Sequence, residues 1–350
     1  MGRLELKGRA VIEDDLEHIL QHSRAVWDDL RGQSLFITGG TGFVGTWILE
    51  SIVRANESLR SKIHAVVLTR NPERFTKTFP HLAAHPSIEL LKGDVRKFDF
   101  PPQKFSHILH MATESSAKLN SENPLEMFEV VTEGTRHTLD FAVHCGARKF
   151  LLTSSGAVYG KQPSEITHVA EGYFGSPDTL KPESAYGEGK RVAELLCSMY
   201  EKTHGIETKI ARGFAFVGPR LPLDIHFAVG NFIRDGLRGG PIVVKGDGTP
   251  YRSYLYASDM AIWLLTILTK GKSSFPYNVG SDHDVTITDL ARLVASSFGT
   301  PRSVEIKQTA RNVAPERYVP SIERSRKDLG LEVSIDLSTA IKKTILYHCQ

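Results

Sequence analysis

Three glycines, Gly39, Gly42 and Gly45, stand three residues apart directly after the short apolar run Ser34–Thr38. A helical pattern, Gly42–Ala55, follows at once. A strand that passes through a glycine turn into a helix is the opening of a βαβ unit. At this spacing each glycine has its own use. The first permits a tight turn, the second lets backbone N–H groups approach a pyrophosphate, and the third lets the helix pack closely on the sheet. The helix N-terminus then turns its partial positive charge toward the anion. Thr41, Phe43 and Val44 lie between the glycines and belong to the same predicted cofactor-binding segment.

The rest of the chain repeats the alternation. Ile63–Thr69, Ile88–Leu91, His107–His110, Phe150–Thr153 and Thr208–Ala211 read as short strands, with helical patterns over 124–145 and Glu183–His204 between them. Asn71-Pro72-Glu73 carries a cap residue, a proline for the first helical position and an acid for the positive end, and predicts a further helix start. This predicts an α/β chain with a Rossmann-type, doubly wound parallel sheet. Ile12, Leu16, Ile19, Leu20, Trp27 and Leu30 place an amphipathic helix ahead of that fold, packed on the body. After Arg212, repeated Gly-Pro breaks signal a smaller, looser C-terminal subdomain. The predicted division is 1–32 for the N-terminal helical extension, 33–214 for the Rossmann domain and mainly 215–350 for substrate binding, with segments that return to the sheet.

Composition excludes some partners. A formal charge of +3 provides no basic surface for nucleic acid, though a few placed cations suffice for a small anion. The three scattered cysteines form no disulfide framework, and Met1–Lys7 carries no apolar signal core, which predicts a cytoplasmic chain. The longest apolar run, Ala261–Leu268, is too short to span a membrane.

Sites that bind NAD often place an acid at the end of the second strand for the ribose hydroxyls. Here that strand runs into Arg70, and no acid follows. Arg70 suits a 2′-phosphate, so the cofactor is expected to be NAD or NADP, with NADP favoured. Asp94 and Val95 follow the third strand, where Asp94 is placed to accept from an adenine amino group. Met111, Ala112 and Thr113 follow the fourth and are expected to wall the cofactor ribose.

The fifth strand ends at Ser154-Ser155, where ligands bind in open α/β sheets. Downstream, Tyr186 and Lys190 stand four apart at a helix start, on one helical face. A phenol near pKa 10 is a poor base, but an adjacent ammonium and an oxidised nicotinamide both favour its phenolate. Tyr186 is then a proton shuttle for an alcohol under oxidation, Lys190 its electrostatic partner and Ser155 the group that orients the alcohol.

With these residues in view, the chain resembles an extended short-chain dehydrogenase/reductase of the NAD-dependent epimerase/dehydratase family, over roughly residues 33–330. The motifs that carry the resemblance are Thr38–Gly45, Gly93-Asp94-Val95, Ser154–Gly160, the Tyr186–Lys190 pair, Phe216–Arg220 and Gly246–Tyr254. It implies a nucleotide-diphosphate sugar as substrate, transient oxidation at sugar C4, and a homodimer built from the helices around 124–145 and 183–204. Similar 4,6-dehydratases follow the catalytic Ser/Thr with Asp-Glu, and similar decarboxylases place a glutamate near the same spot. Gly156 and Ala157 stand there instead. An epimerase needs only Ser, Tyr and Lys with room for the ketosugar to turn, so epimerisation is the expected reaction. The alternatives are a dehydratase or decarboxylase, a ketosugar reductase, or a non-catalytic dinucleotide-binding regulator.

The resemblance also names substrate contacts: Ser155, Gly156, Asn231 at a nucleotide-binding helix start, and Arg252 for the diphosphate. Glu114 and Ser115, in an Ala-Thr-Glu-Ser stretch like that of some dehydratases, are further candidates. Arg220 and Arg317 are weaker ones, with a surface salt bridge the better reading of Arg317. Two family asparagines are replaced, by Val131 and Ala215. His107 and His110 sit at a spacing that points them to opposite faces of a strand, and His81 and His85 have no completing ligand nearby, so no metal is expected.

Overall fold

The computed structural model of this chain describes residues 3–113, 117–225, 227–310 and 313–349. Seven parallel strands form its central sheet: β1 (Ser34–Thr38), β2 (His64–Thr69), β3 (Ile88–Lys92), β4 (His107–His110), β5 (Lys149–Ser155), β6 (Glu207–Gly213) and β7 (Phe275–Val279). Their order is β7-β6-β5-β4-β1-β2-β3. The strands read as continuous apolar runs because both faces of the sheet are covered. Leu35 and Ile37 enter one core. Phe36, between them, enters the other.

The first core lies under α1 (Arg3–His22), α2 (Arg24–Leu30), α3 (Phe43–Leu59) and α6 (Ala257–Lys270); the second lies under α4 (Pro124–Cys145) and α5 (Ala185–His204). The bounds of α4 follow from local chemistry. Asn123 Oδ1 accepts from the Glu126 N–H, Pro124 opens the helix, and Gly146 ends it at φ 73°. Asn71 likewise caps its predicted helix, Pro72–Thr78, by accepting from the Arg74 N–H.

The N-terminal extension differs in one respect. The single helix expected over 12–30 is two helices, broken at Ser23, whose hydroxyl donates to the Ile19 carbonyl. The expected apolar stripe is nonetheless buried, from Ile12 to Leu30. Asp15 of α1 is also buried, accepting from the Tyr256 hydroxyl at 2.6 Å and pairing with Lys343.

Beyond residue 214 the chain forms a third core around Val217, Phe232, Leu290 and Ile341. Its short strands include Tyr251–Arg252, which pairs in parallel with Arg317–Tyr318. Residues 257–279 leave this region and rejoin the main sheet as α6 and β7. Among the described residues no helix is long and apolar enough to cross a membrane.

Candidate active site

Strand order reverses between β1 and β4, and the crevice beyond their carboxyl ends is where a doubly wound sheet receives a ligand. The glycine turn sits there. Gly39 has φ 72°, and a Cβ on it would lie 2.5 Å from the Met111 carbonyl carbon. A Cβ on Gly45 would lie 2.4 Å from the Gly39 oxygen, so only glycine lets α3 start this close to the turn. Gly42 is different. It is exposed, its backbone is extended, and the nearest atom to an added Cβ is 3.5 Å away. Protein packing therefore does not require glycine at 42, whereas an anion seated on the turn's N–H groups would. Thr41, Phe43 and Val44 are half-buried around it.

The remaining cofactor candidates border the same crevice. The Ala112 N–H donates to Thr38 Oγ1, which ties the end of β4 to the end of β1. Met111 is buried. Val95 packs against α4, where a Cβ on Gly134 would meet it at 2.8 Å. Arg70 is exposed. Asp94 already has a partner: its two carboxylate oxygens accept from Arg96 Nε and Nη2 at 3.0 and 2.9 Å. That ion pair, with Arg70 adding to the field, holds the Asp94 carboxyl at about 2.

At the end of β5, Ser155 Oγ accepts from the Ala157 N–H at 3.1 Å, and its hydroxyl lies near enough to the Tyr186 phenol to act on it. Tyr186 and Lys190 share a face of α5, with the ammonium 5.9 Å from the ring centroid. The lysine is buried and donates to Thr113 Oγ1 and to the Thr153 carbonyl, both at 2.6 Å. Burial pulls its ammonium down to about 7, while Glu194 pulls the other way. Burial also pushes the Tyr186 phenol up, opposed by the nearby Ser155 hydroxyl. The expected lowering of Tyr186 is thus not produced by Lys190 alone. The ammonium spends its hydrogens on Thr113 and Thr153, and desolvation disfavours the phenolate.

Of the substrate candidates, Arg252 is a register partner of Tyr318 and lies near its phenol, with Nη1 donating to the Tyr251 carbonyl at 2.8 Å. Asn231 stands in the first turn of the helix Ala228–Leu237, where its Oδ1 accepts from Arg234. Glu114 and Ser115 lie outside the described residues. Two arginines are held in ion pairs. Arg220 makes a 2.5 Å ion pair with Glu50, against the rings of Trp47 and Phe79, so the salt bridge weighed for it is present, but in the interior and not on the surface. Arg317 pairs with Asp284 at 2.8 Å and covers the Tyr251 ring, the salt-bridge reading favoured for it. His81 binds Glu50, an acid that local spacing did not reveal, and His110 is held between Thr38 and Thr135.

Comparison with known proteins places this geometry. The NAD-dependent epimerase/dehydratase family matches residues 35–280. UDP-glucuronic acid decarboxylase 1 of Xenopus tropicalis is 32% identical over 316 residues, covering 89% of this chain and 71% of the relative. The chain belongs to the NAD-dependent epimerase/dehydratase family. Among solved structures, UDP-glucuronic acid 4-epimerase of Bacillus cereus, in complex with UDP-glucuronic acid and NAD, shares the fold at TM-score 0.75 and 21% identity, over 90% of this chain and 98% of that one. A dTDP-glucose 4,6-dehydratase from Streptomyces venezuelae, with NAD bound, matches at TM-score 0.77 and 22% identity, over 90% and 96%. This chain is accordingly an enzyme of the epimerase/dehydratase family with a Rossmann-like sheet.

Three residues of this family member's site escape a reading of local sequence. Asn120 accepts from the Tyr186 N–H through Oδ1 and donates to the Glu183 carbonyl, so it holds the start of α5. Glu194, one turn beyond Lys190, accepts from Ser154 Oγ and from both ends of the Arg212 guanidinium, at 2.9 and 2.6 Å. That part-buried fork joins α5 to β5 and β6 beside Ser154. The third, Tyr318, comes from the C-terminal region and sets its hydroxyl over Gly156, the residue after Ser155.

Proposed function

We propose that this chain is a nucleotide-sugar epimerase that uses NAD or NADP. When bound, the dinucleotide supplies the hydride acceptor and donor and, oxidised, a positive ring beside Tyr186. Gly39, Thr41–Gly45 and the ends of β2 to β4, including Arg70, Asp94, Val95 and Met111–Thr113, would hold it. Its fit is supported by Gly42, the one glycine of the turn whose side-chain space the protein leaves open. Exposed Arg70 and the missing acid favour NADP, whereas the solved relatives hold NAD.

Tyr186 takes the proton of the sugar C4 hydroxyl and later returns it. Ser155 donates a hydrogen bond that favours the phenolate, and Lys190 adds positive charge fixed by Thr113 and the Thr153 carbonyl. Arg252 and Asn231 would hold the nucleotide diphosphate, and Arg252 suits it as a planar fork for phosphate oxygens. The observation that carries epimerisation is the pair Gly156 and Ala157 behind Ser155: no carboxylate stands there to eliminate water or to serve a decarboxylase. The second reading, decarboxylation, has the similarity to UDP-glucuronic acid decarboxylases in its favour. A panel of nucleotide sugars, followed by mass spectrometry and NMR, separates them. Epimerisation yields a C4 epimer of unchanged mass. Tyr186→Phe abolishes it while the dinucleotide still binds, and near-normal turnover by that variant overturns the assignment.

The reading includes a homodimer. Leu125, Phe128 and Val143 on α4 and Leu195 and Met199 on α5 expose apolar side chains, and a second copy of this face is the partner that fits them.

A further inference from the structure

Asn278, near the end of β7, is wholly buried and lies outside every motif read for the site. Its amide nevertheless holds three segments of the chain at once. Nδ2 donates to the Val169 carbonyl at 2.9 Å and to the Ser321 carbonyl at 3.0 Å. Carbonyls only accept, so the NH2 end faces them and Oδ1 faces the other way. There it accepts from the Tyr159 hydroxyl at 2.8 Å. The Tyr159 oxygen in turn accepts from Arg212 Nη1 at 2.9 Å, and the rest of that guanidinium holds Glu194, which accepts from Ser154. An arginine can only donate, so the single Tyr159 hydrogen goes to Asn278, and no bond in the series can be reversed.

The series joins two parts of the site. On one side, Tyr159 closes the short helix Gly156–Tyr159, which begins directly after Ser155. On the other, Ser321 ends a segment that Val169 grips twice more: the Val169 N–H donates to the Val319 carbonyl and the Val169 carbonyl accepts from the Ser321 N–H, both at 2.9 Å. That segment begins with Arg317–Tyr318, the strand paired with Tyr251–Arg252. The Tyr318 ring packs on Phe214 at 4.7 Å between centroids, and its hydroxyl stands 2.8 Å from where a Cβ on Gly156 would be. We propose that Asn278 is a positioning residue of the active site: it fixes the segment that carries Tyr318 and the strand partner of Arg252 against the turn that follows Ser155, and so sets the distance between the group that orients the sugar hydroxyl and the group that holds the diphosphate. Such a distance matters only to a substrate that spans both groups, so the role rests on the nucleotide-sugar reading above.

Two variants cut the series at different points. Asn278→Asp keeps the shape and the bond from Tyr159 but sets a carboxylate oxygen against the Val169 and Ser321 carbonyls. Tyr159→Phe keeps the ring and both bonds to those carbonyls but releases the turn. Hydrogen exchange reads the anchoring without substrate. In Asn278→Asp the amides of Val169 and Ser321 should exchange at least ~10-fold faster than in the parent while those of β5 and β6 keep their rates, and in Tyr159→Phe the same two amides should stay protected. With the nucleotide sugar that the parent turns over, both variants should lose about 10- to 100-fold in kcat per site occupied by dinucleotide, the scale of a reacting pair held out of place. The dinucleotide and UDP alone should bind as to the parent, since neither spans the two groups. The double variant should lose no more than Asn278→Asp, because both act through one series. A variant that merely unfolds loses occupied sites and keeps its kcat per site. Unchanged exchange in Asn278→Asp, a parental kcat per site, or a loss explained by weaker UDP binding overturns the proposal. A parent that turned over no sugar would overturn the reaction assigned above and leave the exchange rates to decide what Asn278 holds.

Discussion

Alanine at the three turn glycines should separate the cost of folding from the cost of binding. At Gly42 the backbone is extended, at φ −84° and ψ −177°, and the nearest atom to a new methyl is 3.5 Å away. Packing does not oppose the change, but Gly42 is the N-cap of α3, where alanine is disfavoured, so the gain from lost unfolded-state freedom is offset and stability should move by less than about 1 kcal/mol. A pyrophosphate seated on the turn's N–H groups, however, would meet the new methyl. Dinucleotide affinity should fall at least ~10-fold, about 1.4 kcal/mol. At Gly45 the methyl meets backbone atoms of Gly39 and Gly40 at 2.4 Å, which no side-chain rotation relieves. Overpacking of about 1–3 kcal/mol is the expected penalty. Gly39→Ala adds an unfavourable φ of 72° to a 2.5 Å approach to Met111 and should cost at least as much. Urea unfolding and equilibrium titration with NAD and NADP on the same preparations give both quantities. If Gly42→Ala binds the dinucleotide like the parent, or loses as much stability as Gly45→Ala, the division of roles in the turn is wrong.

Other perturbations follow from the same contacts. Glu194→Gln keeps the shape of the fork but leaves the buried Arg212 without its countercharge, so urea unfolding should show a loss of about 3 kcal/mol; a loss below about 1 kcal/mol would show the pair to be dispensable. Asp94 is held at about 2 by Arg96, so its contribution is complete above the ordinary carboxylate range and vanishes as pH falls through 2. Asp94→Asn should accordingly cost roughly 1–2 kcal/mol at pH 7, and the gap to the parent should close toward pH 2; a pH-independent gap refutes the ion-pair account. Leu195→Glu puts a charge on the exposed α4–α5 face, and under the proposed dimer sedimentation should show a shift from dimer to monomer without loss of helicity. An unshifted dimer would place the interface elsewhere.

What could be read in advance divides along physical lines. The glycine turn, the cap of Asn71 and the bounds of α4 depend on residues within one turn of one another, and local chemistry settles them. Strand faces were legible for the same reason, since a period of two assigns Phe36 and its neighbours to opposite cores. The Tyr186–Lys190 pair was visible at helical spacing. What encloses that pair was not. Asn120 reaches Tyr186 across 66 positions, and Tyr318 comes from a strand pairing near the far end of the chain. No periodicity encodes those meetings; sheet order creates them. The partner of Arg220 was hidden for the same reason: Glu50 of α3 lies far off in sequence and draws the guanidinium into a pair in the interior.

The measurement that bears most directly on the whole account is the fate of C4 and of mass in a single reaction. Incubation of the holoenzyme with UDP-glucuronic acid and with neutral nucleotide sugars, read by NMR and mass spectrometry together, should show a C4 epimer accumulating at unchanged mass, with no net change in cofactor absorbance. Loss of carbon dioxide or of water from any of these substrates would contradict epimerisation, and would mean that a carboxylate or phenol outside the Gly156–Ala157 position supplies the missing acid–base group.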